Sequence, residues 1–264
     1  MKSLLLSIVC WIISTTSNAV EPGTLVIVGG GGTPDVVIAE AVRLAGGPSA
    51  NVVVLPQASS REGRGESSVE MFRQHKVPNV KVVEFDDVAA AKAAISSADL
   101  IWFPGGQQTK LMEALVAAGL NSVIVDRNRE GAVVGGTSAG AAVMSADMIP
   151  TSPESTGLRS GNTPVTTGLG LARHLIVDQH FVERQRMNRL LGAVLDRPHR
   201  IGVGIGERTA IVVQGQRFKV LGESSVVVID ARNAEVAIDR GKLQTGKGMT
   251  LHVLANGDEY QWAK

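Results

Sequence analysis

The chain has 264 residues with a formal net charge of +1, and 44% of the residues are hydrophobic while 3% are aromatic. That length and apolar content are enough to bury the core of one large domain. The balanced charge and the scarcity of aromatic side chains argue against a nucleic-acid binder, which needs a basic surface and stacking platforms.

The first 19 residues have the composition of a secretory signal peptide. Lys2 supplies a positive charge, residues 4–13 are mostly apolar, and residues 17–19 (Ser-Asn-Ala) match the small-residue pattern of a cleavage site. The apolar stretch is shorter than the roughly 20 residues that span a bilayer, and a retained membrane anchor is the alternative. We therefore predict a signal peptide at 1–19 and a secreted domain at 20–264, in a periplasm or outside the cell.

Cleavage after residue 19 would remove Cys10, which is the one cysteine of the sequence. The secreted chain would then have neither a disulfide nor a thiol nucleophile. No set of His, Asp and Glu residues in the sequence has metal-ligand spacing, so we expect no metal and no cofactor. The run Gly29–Gly32 does not continue as a dinucleotide-binding fingerprint, because Pro34 stands where that pattern needs a glycine. Close packing at a site is the more natural use of this run.

Apolar segments of strand length alternate with helical patterns in the first two thirds of the chain. Six strands are predicted in this part: 25–28, 51–55, 80–83, 100–103, 132–134 and 175–177. Four helical patterns follow such strands: 35–44, a helix that begins at 107, 139–145 and 181–195. Continuous apolar strands separated by helices are typical of a parallel sheet with helices on both faces, so we predict an α/β fold. Sites in such sheets form at the carboxyl ends of the strands.

After residue 201 the pattern changes to short strands joined by turns that contain Gly and Asn. The predicted strands are 209–213, 217–220, 226–229, 235–238 and 249–254. We interpret them as antiparallel strands that extend or flank the main sheet. The long polar stretch 151–167 is either a flap over the site or a plain surface loop.

Residues 136–140, with the sequence Gly-Thr-Ser-Ala-Gly, match the pattern G-x-S-x-G. They lie between an apolar strand and an Ala-rich helix, which is the context that this pattern requires. A sharp turn there would push the Oγ atom of Ser138 out of the sheet and direct nearby backbone N–H groups towards the same point. Ser138 is therefore the candidate nucleophile, and a glycine-rich packing turn is the alternative.

A serine nucleophile needs a base, and His180 is the best placed of the five histidines. It follows strand 175–177 at the edge where we expect Ser138, although a capping or core histidine would have the same local sequence. Glu207 ends a Gly-rich apolar strand and can orient the imidazole. We predict that these three side chains converge, with the serine Oγ roughly 2.6–3.5 Å from a histidine nitrogen.

Three segments, in this order, closely resemble the cyanophycinase family. They are 134–141 (VGGTSAGA), 178–181 (DQHF) with three arginines downstream, and 204–207 (GIGE) followed by Thr209-Ala210. The resemblance implies a secreted serine peptidase on a flavodoxin-like, class I glutamine-amidotransferase-like fold. Members of the family release β-aspartyl-arginine dipeptides from cyanophycin, a polyaspartate whose side-chain carboxyls carry arginine.

The same resemblance implies a role for each candidate residue. Ser138 would attack a peptide carbonyl, His180 would shuttle the proton, and Glu207 would orient the imidazolium. The N–H groups of Gly106 and Ala139 would form the oxyanion hole. The implied substrate contacts are Gln107, Asp178, Gln179, Arg184, Arg186 and Arg189.

Guanidinium groups pair with carboxylates through two parallel hydrogen bonds, which suits a substrate rich in carboxylates. On a helix spanning 181–195, Arg186 and Arg189 would share one face, with Arg184 in the first turn. A solvated charged face is the alternative for these three arginines.

Two other functions stay open on the sequence alone. An aspartyl dipeptidase acting on N-terminal aspartyl peptides would keep the fold and the three side chains, whereas a non-catalytic secreted binding protein would keep only the fold. We expect a peptide substrate as partner, with neither nucleic acid nor, after cleavage of the signal, a membrane. The sequence leaves a homodimer open.

Overall fold

The computed structural model describes residues 23–153, 157–237, 239 and 241–262, so the predicted signal peptide lies outside the described residues. The helices are α1 (Asp35–Leu44), α2 (Glu66–Gln74), α3 (Val88–Ser96), α4 (Gln108–Ala117), α5 (Asn121–Arg129), α6 (Ala139–Ala142) and α7 (Met187–Asp196). The first strands are β1 (Leu25–Val28), β2 (Val52–Val54), β3 (Val80–Val82), β4 (Leu100–Phe103), β5 (Val133–Thr137), β6 (Asp147–Met148), β7 (Thr166–Thr167) and β8 (Leu175–Asp178). The later strands are β9 (Ile201–Ile205), β10 (Thr209–Gln214), β11 (Arg217–Gly222), β12 (Val226–Asp230), β13 (Glu235–Ala237), β14 (Thr245–Lys247), β15 (Thr250–Leu254) and β16 (Glu259–Gln261).

The main sheet has the strand order β16-β11-β10-β1-β5-β4-β2-β3. Strands β1, β5, β4, β2 and β3 are parallel, and β10, β11 and β16 extend the sheet as antiparallel strands beside β1. The predicted α/β sheet with additional C-terminal antiparallel strands is confirmed. The parallel strands bring the carboxyl ends of β1, β5 and β4 side by side at one edge.

A second sheet of order β15-β12-β9-β8 corrects one part of the prediction. We expected strand 175–177 in the parallel sheet, but β8 pairs with β9, whose other neighbour is β12. Strand β1 already has β5 on one side and β10 on the other, so no position beside it is left for β8. An apolar run has the same appearance in either sheet, and its periodicity cannot assign it to one of them.

Both faces of the main sheet are covered, as predicted. Alternate side chains of β1 point to opposite faces, because the side-chain period of a strand is two. Val26 and Val28 pack in a buried cluster with residues of α1 and α2, whereas Leu25 and Ile27 join a larger cluster with residues of α3 to α6. The larger cluster also contains Val177, Val203 and other buried side chains of the second sheet, so the two sheets share a core.

Helix α1 illustrates how the sequence produces these layers. Its buried positions Val37, Ile38, Ala41 and Val42 recur at intervals of one, three and four residues, which places them on a single helical face. Asp35 in the first turn and Arg43 in the last turn have the signs that the helix dipole favours at each end.

Two predicted helices are shorter in the structure. Residues 181–186 form turns, with a positive φ of 50° at Gln185, and α7 begins only at Met187. Helix α6 ends at Ala142 because the next carbonyls are used elsewhere: Val143 O and Met144 O accept hydrogen bonds from Leu169 N–H and Ala172 N–H. Long-range hydrogen bonds have ended a helix that the composition favours. None of the helices in the described part of the chain is long and apolar enough to cross a membrane.

Candidate active site

The candidate site lies where the carboxyl ends of β1 and β5 meet the ends of two strands of the second sheet. Ser138 follows β5, His180 follows β8 and Glu207 follows β9. The end of β1 holds two of them through the main chain: Ser138 N–H donates to Val28 O at 3.1 Å, and His180 N–H donates to Gly29 O at 2.6 Å. The site is therefore built across both sheets.

Ser138 has a strained backbone, with φ 55° and ψ −110°. Such a conformation is costly for a residue other than glycine and persists where the surroundings enforce it. The turn is tight because a Cβ atom at Gly140 would collide with the carbonyl oxygen of Phe103, and one at Gly136 would lie 2.8 Å from the same atom. The two glycines of the motif let β4, β5 and α6 approach closely enough to hold the turn.

The three candidate side chains form a continuous hydrogen-bonded series. Ser138 Oγ lies 2.9 Å from His180 Nε2, inside the predicted range, and His180 Nδ1 lies 2.5 Å from Glu207 Oε1. The His180 side chain is 10% exposed and that of Glu207 is 33% exposed. With Nδ1–H donating to the carboxylate, Nε2 is the acceptor for the serine proton.

Burial lowers the pKa of His180 below its usual value. The hydrogen bond to Glu207 raises this pKa in opposition, and the positive charges of Arg184 and Arg186 lower it further. The imidazole is therefore neutral at neutral pH, which is the form that can take a proton from a hydroxyl group.

The glycine run after β1 packs directly against the histidine and the glutamate. A Cβ atom at Gly30 would lie 2.5 Å from His180 Nε2, and one at Gly31 would lie 2.5 Å from Glu207 Oε2. Both glycines also have positive φ angles, 100° and 67°. This geometry agrees with the expectation that the run serves close packing at the site.

The two backbone groups expected to form an oxyanion hole lie on either side of Ser138. Ala139 is the first residue of α6, and Gly106 lies in the turn after β4, whose Gly105 would bring a Cβ within 3.5 Å of Ser138 Cβ. The turn is held by Gln107 N–H, which donates to Ala58 O at 2.8 Å. Among the described residues, neither Gly106 N–H nor Ala139 N–H has an acceptor, so both are free to bind an oxyanion.

Asp178 and Arg189 form a buried ion pair beside the site. Their side chains are 1% and 6% exposed. Arg189 Nε donates to Asp178 Oδ2 at 2.7 Å and its Nη2 donates to Oδ1, while Gln179 N–H adds a bond of 2.9 Å to Oδ1. Both carboxylate oxygens are thus engaged, so the pair holds the chain between β8 and α7.

The other arginines occupy different environments, and they do not share a helical face as we expected. Arg186 precedes α7 and its side chain is mostly buried, with 11% exposed. Its Nη1 donates to Gln179 O at 2.5 Å and reaches Asp178 Oδ1 at 3.4 Å. Burial, with Arg189 and Arg184 nearby, lowers the pKa of Arg186 to about 10, so it stays charged. Arg184 is exposed on the turn that follows His180. Asp178 is paired most closely with Arg189.

The two glutamines of the predicted substrate set also differ in exposure. Gln107 is exposed at the N-terminal end of α4. Gln179 is buried, and its Oε1 has no hydrogen-bond partner among the described residues.

Sequence reasoning missed Gln108, which attaches the segment after β6 to α4. Its buried Nε2 donates to Ile149 O at 3.0 Å and to Pro150 O at 2.9 Å. Ser152, a little further on, lies 3.4 Å from Arg189 Nη1. A glutamine at the start of a helix is ordinary in a sequence, so no local signal distinguishes this one.

The polar stretch 151–167 is attached to α7 as well. Ser160 Oγ and Gly161 N–H each lie 2.7 Å from a carboxylate oxygen of Asp196. Residues 154–156 lie outside the described part of the chain. In that described part, no group of three or more His, Cys, Asp or Glu side chains could hold a metal ion.

The serine after β5 has a strained backbone and is bonded to a neutral imidazole that a carboxylate orients. This arrangement is typical of the serine hydrolases of α/β architecture. The model of peptidase family S51 matches residues 24–221. The chain belongs to this family and is a serine-type peptidase.

Curated relatives agree with this assignment, and a solved structure shares the fold. The chain is 32% identical to the cyanophycinase of Nostoc sp. (strain PCC 7120) over 234 residues, which cover 82% of this chain and 76% of the relative. It is 34% identical to the cyanophycinase of Geminocystis herdmanii over 236 residues, covering 82% and 84%. The crystal structure of a peptidase from an acI-B1 Actinobacterium has the same fold, with a TM-score of 0.68 at 21% identity, over 92% of this chain and 98% of that one.

Proposed function

We propose that Ser138, His180 and Glu207 are the catalytic triad of a peptidase that hydrolyses aspartyl-linked peptides, with cyanophycin as its substrate and β-aspartyl-arginine as the product. The observation that carries the proposal is the series of contacts of 2.9 Å and 2.5 Å from the serine Oγ through the imidazole to the carboxylate. The names of the two cyanophycinases described above support the substrate class.

The proposed reaction has two steps. Ser138 Oγ attacks the peptide carbonyl carbon while its proton moves to His180 Nε2, and the resulting oxyanion is bound by the N–H groups of Gly106 and Ala139. Nε2 then donates that proton to the leaving amine as the C–N bond breaks, which leaves an ester on Ser138. A water molecule attacks this ester after giving a proton to Nε2, and the proton returns to Oγ as the acid product leaves.

Two guanidinium groups of the site support a substrate that carries carboxylates. Arg184 is exposed and Arg186 is mostly buried, and both charges are close enough to lower the pKa of His180. We assign carboxylate recognition to these two arginines, with Gln107 and Gln179 completing the pocket. Arg189 and Asp178 stabilise the chain beside this pocket and do not bind the substrate, because each occupies the other's hydrogen-bonding groups.

The composition of residues 1–19 supports export, and we propose that the enzyme acts in a periplasm or outside the cell. Fractionation of cells that express the full chain, with N-terminal sequencing of the product, tests this proposal. A mature protein that begins at Val20 is expected. A cytosolic product that keeps residues 1–19 would contradict it.

The proposed reaction is tested by hydrolysis assays on cyanophycin, β-Asp-Arg and α-aspartyl dipeptides. Ser138→Ala is expected to lower turnover of cyanophycin by about 10⁴-fold or more, while the exposed Ser67→Ala serves as a matched control that leaves it unchanged. Turnover confined to α-aspartyl dipeptides would favour the dipeptidase. Turnover of no peptide by the parent protein would favour a binding protein.

A further inference from the structure

Glu183 lies three residues after His180 and is not one of the proposed catalytic groups. Its side chain is exposed, yet its Oε2 accepts a hydrogen bond of 3.0 Å from the backbone N–H of Glu207. This hydrogen bond links the turn after β8 to the main chain after β9. Glu183 therefore holds the main chain at the residue that orients the histidine.

The turn 180–183 makes three contacts with the end of β9 and the residues after it, and we call this set of contacts the clamp. Phe181 N–H donates to Ile205 O at 3.1 Å, His180 Nδ1 lies 2.5 Å from Glu207 Oε1, and Glu183 binds Glu207 N–H. The first contact holds the strand end, and the second is the proposed catalytic bond. The third holds the backbone of Glu207. Glu183 thus holds the main chain of the residue whose side chain makes the imidazole–carboxylate bond.

The clamp matters because the Glu207 side chain is one-third exposed and has several rotatable bonds. Gly31 limits its carboxylate on one side, where a Cβ atom would lie 2.5 Å from Oε2. The main chain around Glu207 is held on either side, because Gly206 N–H donates to Ser225 O at 3.0 Å and Arg208 N–H donates to Gly30 O at 2.8 Å. Glu183 supplies the bond at Glu207 itself. A shift of this backbone would move the carboxylate away from Nδ1.

We propose that Glu183 is a positioning residue of the triad, which acts through Glu207 on His180 and does not bind the substrate. The inference rests on the proposed function, because it assigns Glu183 to that triad. Its Oε2 is already engaged by the backbone N–H of Glu207, so we assign no substrate group to it. What Glu183 supplies is a hydrogen-bond acceptor at a fixed place.

Separate measurements of kcat and KM on cyanophycin test the proposal. Glu183→Ala is expected to lower kcat about fivefold, the effect of losing one hydrogen bond, with KM within about twofold of the parent. Glu183→Gln keeps an acceptor oxygen without the charge and is expected to retain most of kcat. Glu130→Ala removes an equally exposed carboxylate at the end of α5 and should change neither constant.

The rate of fluorophosphonate labelling at Ser138 gives a second readout that needs no peptide, and Glu183→Ala should slow it by a similar factor. Parent-like kcat and labelling in Glu183→Ala would overturn the inference. So would a Glu183→Gln variant as impaired as Glu183→Ala, which would mean that the charge matters, or a rise in KM alone, which would make Glu183 a substrate contact. Failure of the proposed function differs from all of these: the parent would show no labelling at Ser138, or Ser138→Ala would keep full turnover.

Discussion

Gly30 offers a sharp test of how tightly the imidazole is confined. In Gly30→Ala the new Cβ atom would lie 2.5 Å from His180 Nε2, whereas ordinary van der Waals contact begins at 3.4 Å. The ring would therefore have to retreat by about 1 Å, which is enough to break its hydrogen bond to Ser138. Misplacement by about 1 Å can cost on the order of 10²-fold in rate, so we expect kcat/KM to fall at least that far.

The matched control for this variant is Gly46→Ala. Gly46 has the same φ of 100° as Gly30, but a Cβ atom added to it would have no heavy atom within 4 Å. Both substitutions carry the backbone strain of an alanine at positive φ, roughly 1–2 kcal/mol, while only one meets the imidazole.

Thermal unfolding and kcat/KM on cyanophycin would be measured for both variants. We expect both variants to lose melting temperature, Gly30→Ala more because of its clash with the ring, and only Gly30→Ala to lose activity. If Gly30→Ala kept kcat/KM within about twofold of Gly46→Ala, the imidazole would not be held as the structure places it.

Three further predictions concern the charged groups of the site. Because burial lowers the pKa of His180, kcat/KM should rise with pH through a midpoint below the usual histidine value. Arg184→Gln should move that midpoint to higher pH, and Glu207→Gln should move it to lower pH. Shifts of the opposite sign in the pH profile would contradict the assignment. Arg189→Lys loses the forked pair with buried Asp178, so its free energy of unfolding in urea should fall by roughly 1–3 kcal/mol. Its activity should fall equally on aspartyl peptides with free and with amidated carboxylates. Arg186→Lys should instead lower kcat/KM about tenfold on the free carboxylates alone, and equal losses on both substrate forms would make it structural as well.

Most of the main sheet could be predicted because its strands are continuous apolar runs that end in Gly or polar residues. The assignment of β8 to that sheet was wrong, since pairing with β9 is a long-range choice that an apolar run does not encode. The short strands β6, β7, β14 and β16 were not predicted, because two or three residues are too few to show a period. The helix expected from 181 was too long, since the positive φ of Gln185 has no signature in that residue type.

The convergence of Ser138, His180 and Glu207 could be expected because each follows an apolar strand at its carboxyl end. The residues that surround these side chains could not be predicted. In a sequence, an exposed Glu183 and a Gln108 at the start of a helix look ordinary. The ion pair of Asp178 and Arg189 depends on two segments that meet only in the folded chain. Sequence patterns locate the reacting groups, whereas the structure is needed to find the groups that hold them.

The most direct test of the proposed triad is peptide mapping by mass spectrometry after treatment with a fluorophosphonate. We expect one phosphonylated residue, Ser138, with hydrolysis lost in proportion to labelling. His180→Ala should show almost no labelling because the hydroxyl group then has no base. Labelling at another serine, or cyanophycin hydrolysis that survives complete modification of Ser138, would contradict the proposed triad.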